Sequence, residues 1–448
     1  MKQQTFALLL AAATALPLSG QETGKSWSLE DCISYALEKN IQLRQDRISL
    51  QEAEVDVKTA QAALFPTLSF GTTHTLMNRP NQQQSNTVSG TEIITSNEKN
   101  TYNGNYSLNA QWTVWNGGRL QKNIKTQQTN RDIARLAVTQ TENTLQEEIT
   151  KLFIQLLYAD ESVRIHQRTL EVSRATCERG RELWQAGSLS KADLAQLEAQ
   201  VSSDEYQLVS AESALRNYRV QLKQLLELDP DQDFCLQLTE PDDEKVLQLL
   251  PDQGDVYAAA LAQRPEIQSG HLSIENAQRA IATAKAGYLP TISLSGSVSS
   301  TTNSASTYGW ATQLKNGWNN MLGISLSLPL FDGRQNKSNV QKARLQFDSS
   351  QYALENKRKE LYATIESLWT DALNAQQQFR AAEAKLNSCQ TSFDMVSEQF
   401  TLGMKNTVEL LTEKSNLLNA QQERVQAKYM ALLDRTLLDF YAGKGISL

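Results

Sequence analysis

The residues that most often carry chemistry in proteins are few and scattered in this sequence. Among 448 residues there are three histidines and four cysteines. They are His74, His166 and His271, and Cys32, Cys177, Cys235 and Cys389. Their spacing forms no HExxH or CxxC pair, and the chain has no glycine-rich phosphate loop and no nucleophile elbow. We therefore expect no catalytic residue, no metal site, no cofactor and no enzymatic activity.

Three of these residues fall where helical spacing predicts burial. His166, Cys177 and Cys389 lie on apolar helical seams, where a packed core side chain is the default interpretation. A disulfide between any two of the cysteines stays open, because the sequence alone assigns no pairing.

The charge of the chain argues against nucleic acid as a partner. The formal net charge is −7, and acidic and basic residues are mixed along the sequence with no basic block. Nucleic-acid binding normally leaves a cluster of Lys and Arg. Only 9 prolines and 20 glycines interrupt the chain, so the composition favours long helices.

The first 20 residues have the pattern of a secretory signal peptide. Lys2 is followed by an apolar run over 6–18 and by the small residues Ser19 and Gly20. The run is too short for a spanning helix, which needs about 20 apolar residues, and no later stretch reaches that length. A buried N-terminal helix is the alternative. An exported protein of this kind would meet a membrane through β-strands or through its surface.

The rest of the chain contains an internal two-fold repeat. The segment 31–70 aligns without a gap to 255–294, which pairs "AQAALFPTLSF" with "AKAGYLPTISL" and Pro66 with Pro290. Each proline ends a helical stretch and precedes an alternating one, so both mark helix-to-strand junctions. The signal-peptide pattern and the repeat together predict a signal peptide at 1–20, a first unit at 21–228, a connecting segment at 229–254 and a second unit at 255–448.

Period-two hydrophobicity predicts two β-hairpins per chain. Apolar residues alternate with uncharged polar residues in four segments, at 68–76, 106–114, 292–298 and 322–330. These have about the 9–11 residues of a tilted membrane strand. Trp115 and Trp318 stand at strand ends, where the aromatic girdles of outer-membrane barrels lie. A soluble sandwich with one wet face is the alternative.

The number of strands has a consequence for assembly. Four strands cannot close a membrane barrel, because known single-chain barrels begin at about eight strands and open edges are not tolerated in lipid. Several chains would have to combine their strands, so a membrane-spanning form would be an obligate oligomer. Between the first two strands, residues 79–100 are rich in Asn, Gln, Ser and Thr and are predicted as a polar loop.

Each hairpin leads through a glycine turn into a very long helix. The turns "NGGR" and "FDGR" suit positive φ and a side-chain cap on the helix that follows. Their key residues are Asn116 and Gly117, and Asp332 and Gly333. After "NGGR" an apolar seam runs from Arg119 to Trp184, about 98 Å at 1.5 Å per residue. Its 3.5-residue period predicts coiled-coil packing.

The long helices end at Gly187 and Gly403, and the chain then returns. The return helix at 190–227 and the junction helix at 30–64 are together about as long as the long helix beside them. Each half of the chain would therefore be a matched pair of α-helical staves topped by a β-hairpin.

This arrangement resembles the TolC family of outer-membrane efflux channels over essentially the whole mature chain. The resemblance rests on the doubled helix–proline–strand junction, the two glycine turns, and the doubled tip around "AGSLSKAD" and "LGMKNTVE". It implies a mixed α and β fold in which long coiled-coil helices form an α-barrel and two β-hairpins per chain join a shared 12-stranded transmembrane β-barrel. It also implies a homotrimer in the lipid of the cell outer membrane, with its helical tunnel in the periplasm.

The resemblance extends to partners and to function. Channels of this family dock to an inner-membrane transporter of the RND, ABC or MFS type through a periplasmic adaptor (membrane fusion) protein, and 229–254 would belong to the equatorial collar. The expected function is a passive tunnel for tripartite efflux or type I secretion. The alternative is a non-conducting coiled-coil scaffold of the envelope. The sequence does not distinguish drug, metal, peptide or protein as substrate.

The resemblance also places a gate at the periplasmic tip. By position from Gly403, Glu409 matches the first of the family's two acidic pore residues, and Thr412 replaces the second. Lys405 matches the basic link residue and Asp193 its acidic partner. Phe400 stands where the family often has tyrosine, so one link is expected to be missing. The alternative is that these charges only stabilise helix ends.

Overall fold

The computed structural model describes residues 26–446 except 82, 84, 90, 97–98, 230–233 and 239–241. The predicted signal peptide at 1–20 lies outside the described residues, as does part of the connecting segment.

The first half runs from a short strand through two helices, a sheet and two long helices. Its elements are β1 (Ser26–Trp27), α1 (Leu29–Lys39), α2 (Ile41–Ala62), β2 (Thr67–Asn78), β3 (Ser85–Ser89), β4 (Glu92–Ser96), β5 (Asn100–Trp115), α3 (Arg119–Gln185) and α4 (Lys191–Leu225). The connecting segment contains β6 (Cys235–Leu236) and α5 (Asp243–Val246).

The second half has the same order. Its elements are α6 (Gln253–Gln263), α7 (Pro265–Lys285), a 3-10 turn (Ala286–Tyr288), β7 (Thr291–Asn303), α8 (Trp310–Asn316), β8 (Asn319–Ser327), α9 (Gln335–Thr401) and α10 (Thr407–Tyr441). The long helices α3 and α9 have 67 residues each, and the return helices α4 and α10 have 35 each.

The predicted single helix over 30–64 is wrong, because Asn40 divides it. The Asn40 N–H donates to Ala36 O at 2.9 Å, which closes α1. The Asn40 side chain accepts from Leu43 N at 3.0 Å, which caps α2. A cap of this kind lets the chain change direction without losing backbone hydrogen bonds. In the second half the same break follows from Pro265 at the start of α7.

The four strands predicted from the period-two segments form one antiparallel sheet in the order β2-β5-β7-β8. Directly opposed residues share a face, and the register puts the large apolar side chains on one face. They are Leu68, Phe70, Leu76, Leu108, Trp112, Leu294, Val298, Leu322, Ile324 and Leu326. Apart from Met77 and Met321, the other face of these strands carries only Ser, Thr, Asn, Gln and Gly.

The apolar face of the sheet is open in the single chain. Leu322 is 79% exposed and Leu76 is 75% exposed. A bulge between Thr113 and Trp115 places Trp115 opposite Ile292 at one end of the sheet. Trp318 precedes β8 and is also exposed. The predicted polar loop at 79–100 is wrong in one respect, because its described residues include the antiparallel pair β3 and β4.

The predicted coiled-coil seam is largely buried. Ile149 and Leu156 of α3, and Ile365 and Phe379 of α9, are fully buried. Trp184 of α3, which the period also places on the seam, is 42% exposed, whereas the seam of α9 stays packed up to Phe400, which is 3% exposed. Within the described part of the chain, no helix combines the length and the apolar character needed to cross a membrane.

The connecting segment contacts both halves, because β6 pairs with β1 of the first half whereas residues 243–248 are tied to the second half. The Gln376 side chain donates to Val246 O at 2.8 Å, and Lys428 forms an ion pair with Asp243 at 2.7 Å. Val246 packs against Phe379 on the same surface. Residues 243–248 therefore lie across α9 and α10 near the middle of these helices.

The two strand-to-helix turns have the same backbone geometry. Gly117 and Gly333 have φ of 71° and 58°. Asn116 Oδ1 accepts from Leu120 N at 3.2 Å, and Asp332 Oδ2 accepts from Asn336 N at 2.8 Å. The surroundings differ, because a Cβ on Gly117 would lie 3.0 Å from Ala286 O, whereas nothing lies within 4 Å of a Cβ on Gly333.

We expect Gly117→Ala to lower the thermal unfolding midpoint more than Gly333→Ala does. Both changes force a side chain into the left-handed region, at a cost of about 1–2 kcal/mol, and only Gly117→Ala adds a clash with the backbone of the 3-10 turn. Helical circular dichroism in detergent measures the midpoints. Equal shifts for the two variants would contradict the packing argument.

Candidate functional site

The two tip turns are built alike. Gly187 follows α3 with φ 79°, and Gly403 follows α9 with φ 73°. Ser188 N donates to Leu183 O at 2.8 Å, and Met404 N donates to Gln399 O at 2.9 Å. This bond closes the helix end around a residue in the left-handed conformation, which glycine adopts without steric cost. Nothing lies within 4 Å of a Cβ on either glycine.

A side-chain cap starts each return helix. Ser190 caps α4, where its Oγ accepts from Asp193 N at 3.0 Å and donates to Asp193 Oδ2 at 2.6 Å. Asn406 caps α10, where its Oδ1 accepts from Glu409 N at 2.9 Å. Glu409 Oε2 accepts from Asn406 N at 3.3 Å, which completes a capping box.

The charges at the second tip turn are paired with each other within the helical hairpin that α9 and α10 form. Lys405 Nζ lies 2.8 Å from Glu409 Oε1. The hydrogen bond from Lys405, followed by that from the Asn406 backbone, lowers the pKa of Glu409 below its ordinary value. Glu409 is therefore an ionised, partly exposed carboxylate held at the start of α10. These contacts support the predicted helix-end role of Glu409.

The other predicted gate residues take separate places. Within the described residues of this chain, no hydrogen bond or ion pair joins Lys405 to Asp193, so that link stays a prediction for neighbouring tips. The exposed Thr412 hydroxyl donates to Val408 O at 2.8 Å, one turn back on its own helix. Phe400 is 3% exposed and packs in the apolar tip cluster.

Three residues of the tip region were missed by the sequence analysis. Ser173 on α3, Asp204 on α4 and Lys414 on α10 are buried and in mutual contact. All three stand at seam spacing, Ser173 between Leu170 and Cys177, for example. Polar residues at seam positions in three helices were the available signal.

The residues with metal-binding or nucleophilic chemistry are not assembled into a site. Over the described ranges, no group of three His, Cys, Asp or Glu side chains could hold a metal ion. The cysteines that the structure describes are all free. Burial lowers the pKa of the half-buried His166 and raises that of Cys32 to about 12, which fits packed, unreactive side chains.

Comparison with known proteins gives a family match over most of the chain. The model of the family described as outer membrane efflux protein matches residues 32–227 and 256–444. The chain is 27% identical over 185 residues to the alkaline protease secretion protein AprF of Pseudomonas aeruginosa, which is 41% of this chain and 37% of AprF. It is 31% identical over 170 residues to the outer membrane protein TolC of Escherichia coli, which is 37% of this chain and 34% of TolC. The matched stretch thus spans little more than a third of either relative.

A solved structure matches over nearly the whole length. The crystal structure of CusC, described as undergoing conformational change with folding and transmembrane channel formation, superposes with a TM-score of 0.79. The match has 18% sequence identity and covers 93% of this chain and 92% of CusC. At this identity the likeness establishes the fold.

We expect the second tip turn to loosen at low pH. Because the folded-state pKa of Glu409 is depressed, its contribution to stability is present above its unfolded pKa and is lost as the pH falls through the folded pKa. A spin label at the exposed Met404 should become more mobile on that titration, with a midpoint below the ordinary pKa of a glutamate. Lys405→Met should move the midpoint up towards the ordinary glutamate value.

The matched control is Lys191→Met, which removes an exposed cation near the first tip turn. It should leave the midpoint at Met404 unchanged. A midpoint that is the same in wild type, Lys405→Met and Lys191→Met would show that the Lys405–Glu409 pair does not set the pKa.

Proposed function

The chain belongs to the outer membrane efflux protein family, and we propose that it forms a passive channel through which efflux or type I secretion substrates leave the periplasm. The observation that carries this proposal is the sheet. One face is apolar and exposed, as a lipid-facing surface must be, and the other is polar and without charge. The same chain continues into helices of 67 residues, about 100 Å long.

The edges of the sheet support an oligomer. Among the described strands, β2 pairs only with β5 and β8 pairs only with β7. Unpaired backbone groups cost several kcal/mol each in lipid. The outer edge of β8 in one copy can pair with that of β2 in the next, and three copies would supply twelve strands. The homotrimer in outer-membrane lipid is thus the smallest closed form consistent with the family resemblance.

The partners follow from the same proposal. A passive tunnel contains no energy source, and the described residues hold no metal cluster and no nucleotide-binding loop. Transport would therefore be driven by an inner-membrane transporter of the RND, ABC or MFS type, joined to the tip through a periplasmic adaptor. The name of AprF refers to protease secretion, which keeps type I secretion among the candidate roles.

Glu409 is the proposed pore constriction. It begins α10 at the tip, is 43% exposed at its side chain and is held ionised by Lys405. Three symmetric copies would form one carboxylate ring, since Thr412 adds no charge. To close the gate, Lys405 would have to leave its ion pair with Glu409 and form one with Asp193 of a neighbouring tip.

We expect the mature protein to purify as a detergent-stable trimer, because only shared closure removes the strand edges. Size-exclusion chromatography with light scattering measures the mass. A monodisperse monomer that keeps its β-signal would overturn the architecture.

Planar-bilayer recording tests conduction, since a non-conducting scaffold gives no discrete conductance steps. Within a conducting channel, Glu409→Gln should lower cation selectivity, measured as reversal potential in a salt gradient, because acidic rings favour cations. Lys405→Glu should raise the open conductance by repelling Asp193. The control Glu182→Gln removes a carboxylate near the other tip turn and should leave selectivity unchanged. Unchanged selectivity and conductance in both Glu409→Gln and Lys405→Glu would refute the gate.

A further inference from the structure

A buried polar cluster joins the two helical hairpins above the tip. It consists of Ser173, Asp204 and Lys414. The Ser173 hydroxyl donates to Asp204, and Lys414 donates to both Ser173 and Asp204. Gln200 Nε2 completes the shell of Asp204 at 2.9 Å. Because α3 and α4 form the first hairpin and α10 belongs to the second, the cluster is a direct polar contact between them.

Both charges are taken out of water. The side chain of Lys414 is 9% exposed and that of Asp204 is 4% exposed. Burial is the main cause that lowers the pKa of Lys414, and the hydrogen bond to Asp204 opposes it. Desolvation of two charges costs several kcal/mol per ion, so a buried pair is weak grounds for stability and is best attested as a device that selects register.

Apolar packing around the cluster does not by itself fix the register between the two helical hairpins. Towards the tip, the hairpins meet in an apolar cluster made of Cys177, Leu194, Leu197, Phe393, Phe400, Leu410 and Leu417. Apolar seam residues recur every three or four positions, so a slip of one helical turn brings similar side chains together again. The same slip would leave Lys414 without its partners and Asp204 without its counterion, although Ser173 and Gln200 would still donate to Asp204. A buried charge that has lost its counterion is strongly destabilising.

The internal repeat creates a second ambiguity, because α4 and α10 are equivalent elements of the two halves and could exchange places. The polar cluster removes this ambiguity. At the offset of 216 residues that relates α3 to α9 and α4 to α10, the counterparts of Ser173, Asp204 and Lys414 are Cys389, Ala420 and Glu198. None of these three can reproduce the pair. An α4 helix placed on an α9–α10 hairpin would therefore lack the contact that α10 makes with α3 and α4.

We propose that the buried polar cluster is a register key, which fixes the height and the identity of the contact between α10 and the α3–α4 hairpin. It holds the two tip turns at one relative position, and the hairpins separate at this level only when the Lys414–Asp204 pair breaks. That this separation would open a gate rests on the proposed function, whereas the fixed register between the hairpins does not.

The test compares single and double apolar replacements. Lys414→Met or Asp204→Leu alone leaves one buried charge unpaired and should lower the thermal midpoint. The double variant removes both charges, and replacement of a buried pair by apolar residues is often neutral or stabilising. Its midpoint should recover towards wild type, which separates register from stability.

Distances between the hairpins decide the proposal. Spin labels are attached through noncanonical amino acids at the exposed positions Ala192 and Val408 of the full-length protein in detergent. In trimers that carry the two labels on only one of their three chains, pulsed electron paramagnetic resonance should give one narrow distance in wild type. The double variant should add a second population, because a one-turn slip moves α10 by about 5.4 Å. A wild-type distribution in a double variant that folds would overturn the register key.

Two further variants complete the experiment. Lys385→Met removes an exposed ion pair with Glu423 inside the second hairpin and should leave the distance unchanged, so an equal broadening there would also overturn the proposal. Asp204→Asn serves if the double variant does not fold, since it keeps the shape and loses the charge. It should broaden the distribution, and an unchanged distribution would count against the key. Neither readout depends on conduction.

Discussion

The pairing of backbone groups at the edges of the sheet is the constraint on which the proposed architecture depends. β2 and β8 each have one pairing partner among the described strands. In water such an edge is tolerated, whereas lipid supplies no hydrogen-bonding partner. In the proposed channel, a chain with four lipid-facing strands therefore has to share its edges with other copies. In that assembly the helices below the sheet would have the same symmetry, because β5 and β8 each lead directly into a long helix.

Local chemistry at the turns keeps this framework in place. The glycines at the strand-to-helix turns and at the tip turns occupy the left-handed region, and polar side chains cap the helices that begin there. The exposed charges at the tip add little stability, since a surface ion pair contributes about 0–1 kcal/mol. Their importance in the proposed channel comes from position, as three copies on one pore axis. The charges of the buried polar cluster above them differ in that they are out of water, so leaving them unpaired is strongly destabilising.

The organisation of the chain could be predicted from its sequence for physical reasons that act locally. The period of hydrophobicity changes from 3.5 to 2 at Pro66 and Pro290, and proline disfavours helix at the residue before it. Both ends of α3 and the start of α4 lie at glycine turns, because few residues other than glycine adopt positive φ, whereas α4 ends just before Glu227, a non-glycine residue with φ of 56°. The break at Asn40 was missed because an asparagine inside an apolar period carries no strong signal. The strands β3 and β4 were missed because their polar composition resembles a loop.

The tip itself was only partly predictable. The turns and the cap at Glu409 depend on residues within five positions of one another, so the sequence determined them. The contact of Ser173, Asp204 and Lys414 joins residues 31, 210 and 241 positions apart. A helical period shows which face of each helix is buried, but it carries no information on the height at which one helix lies against another. Tertiary packing decided that height, and with it which polar residues on three apolar seams would meet.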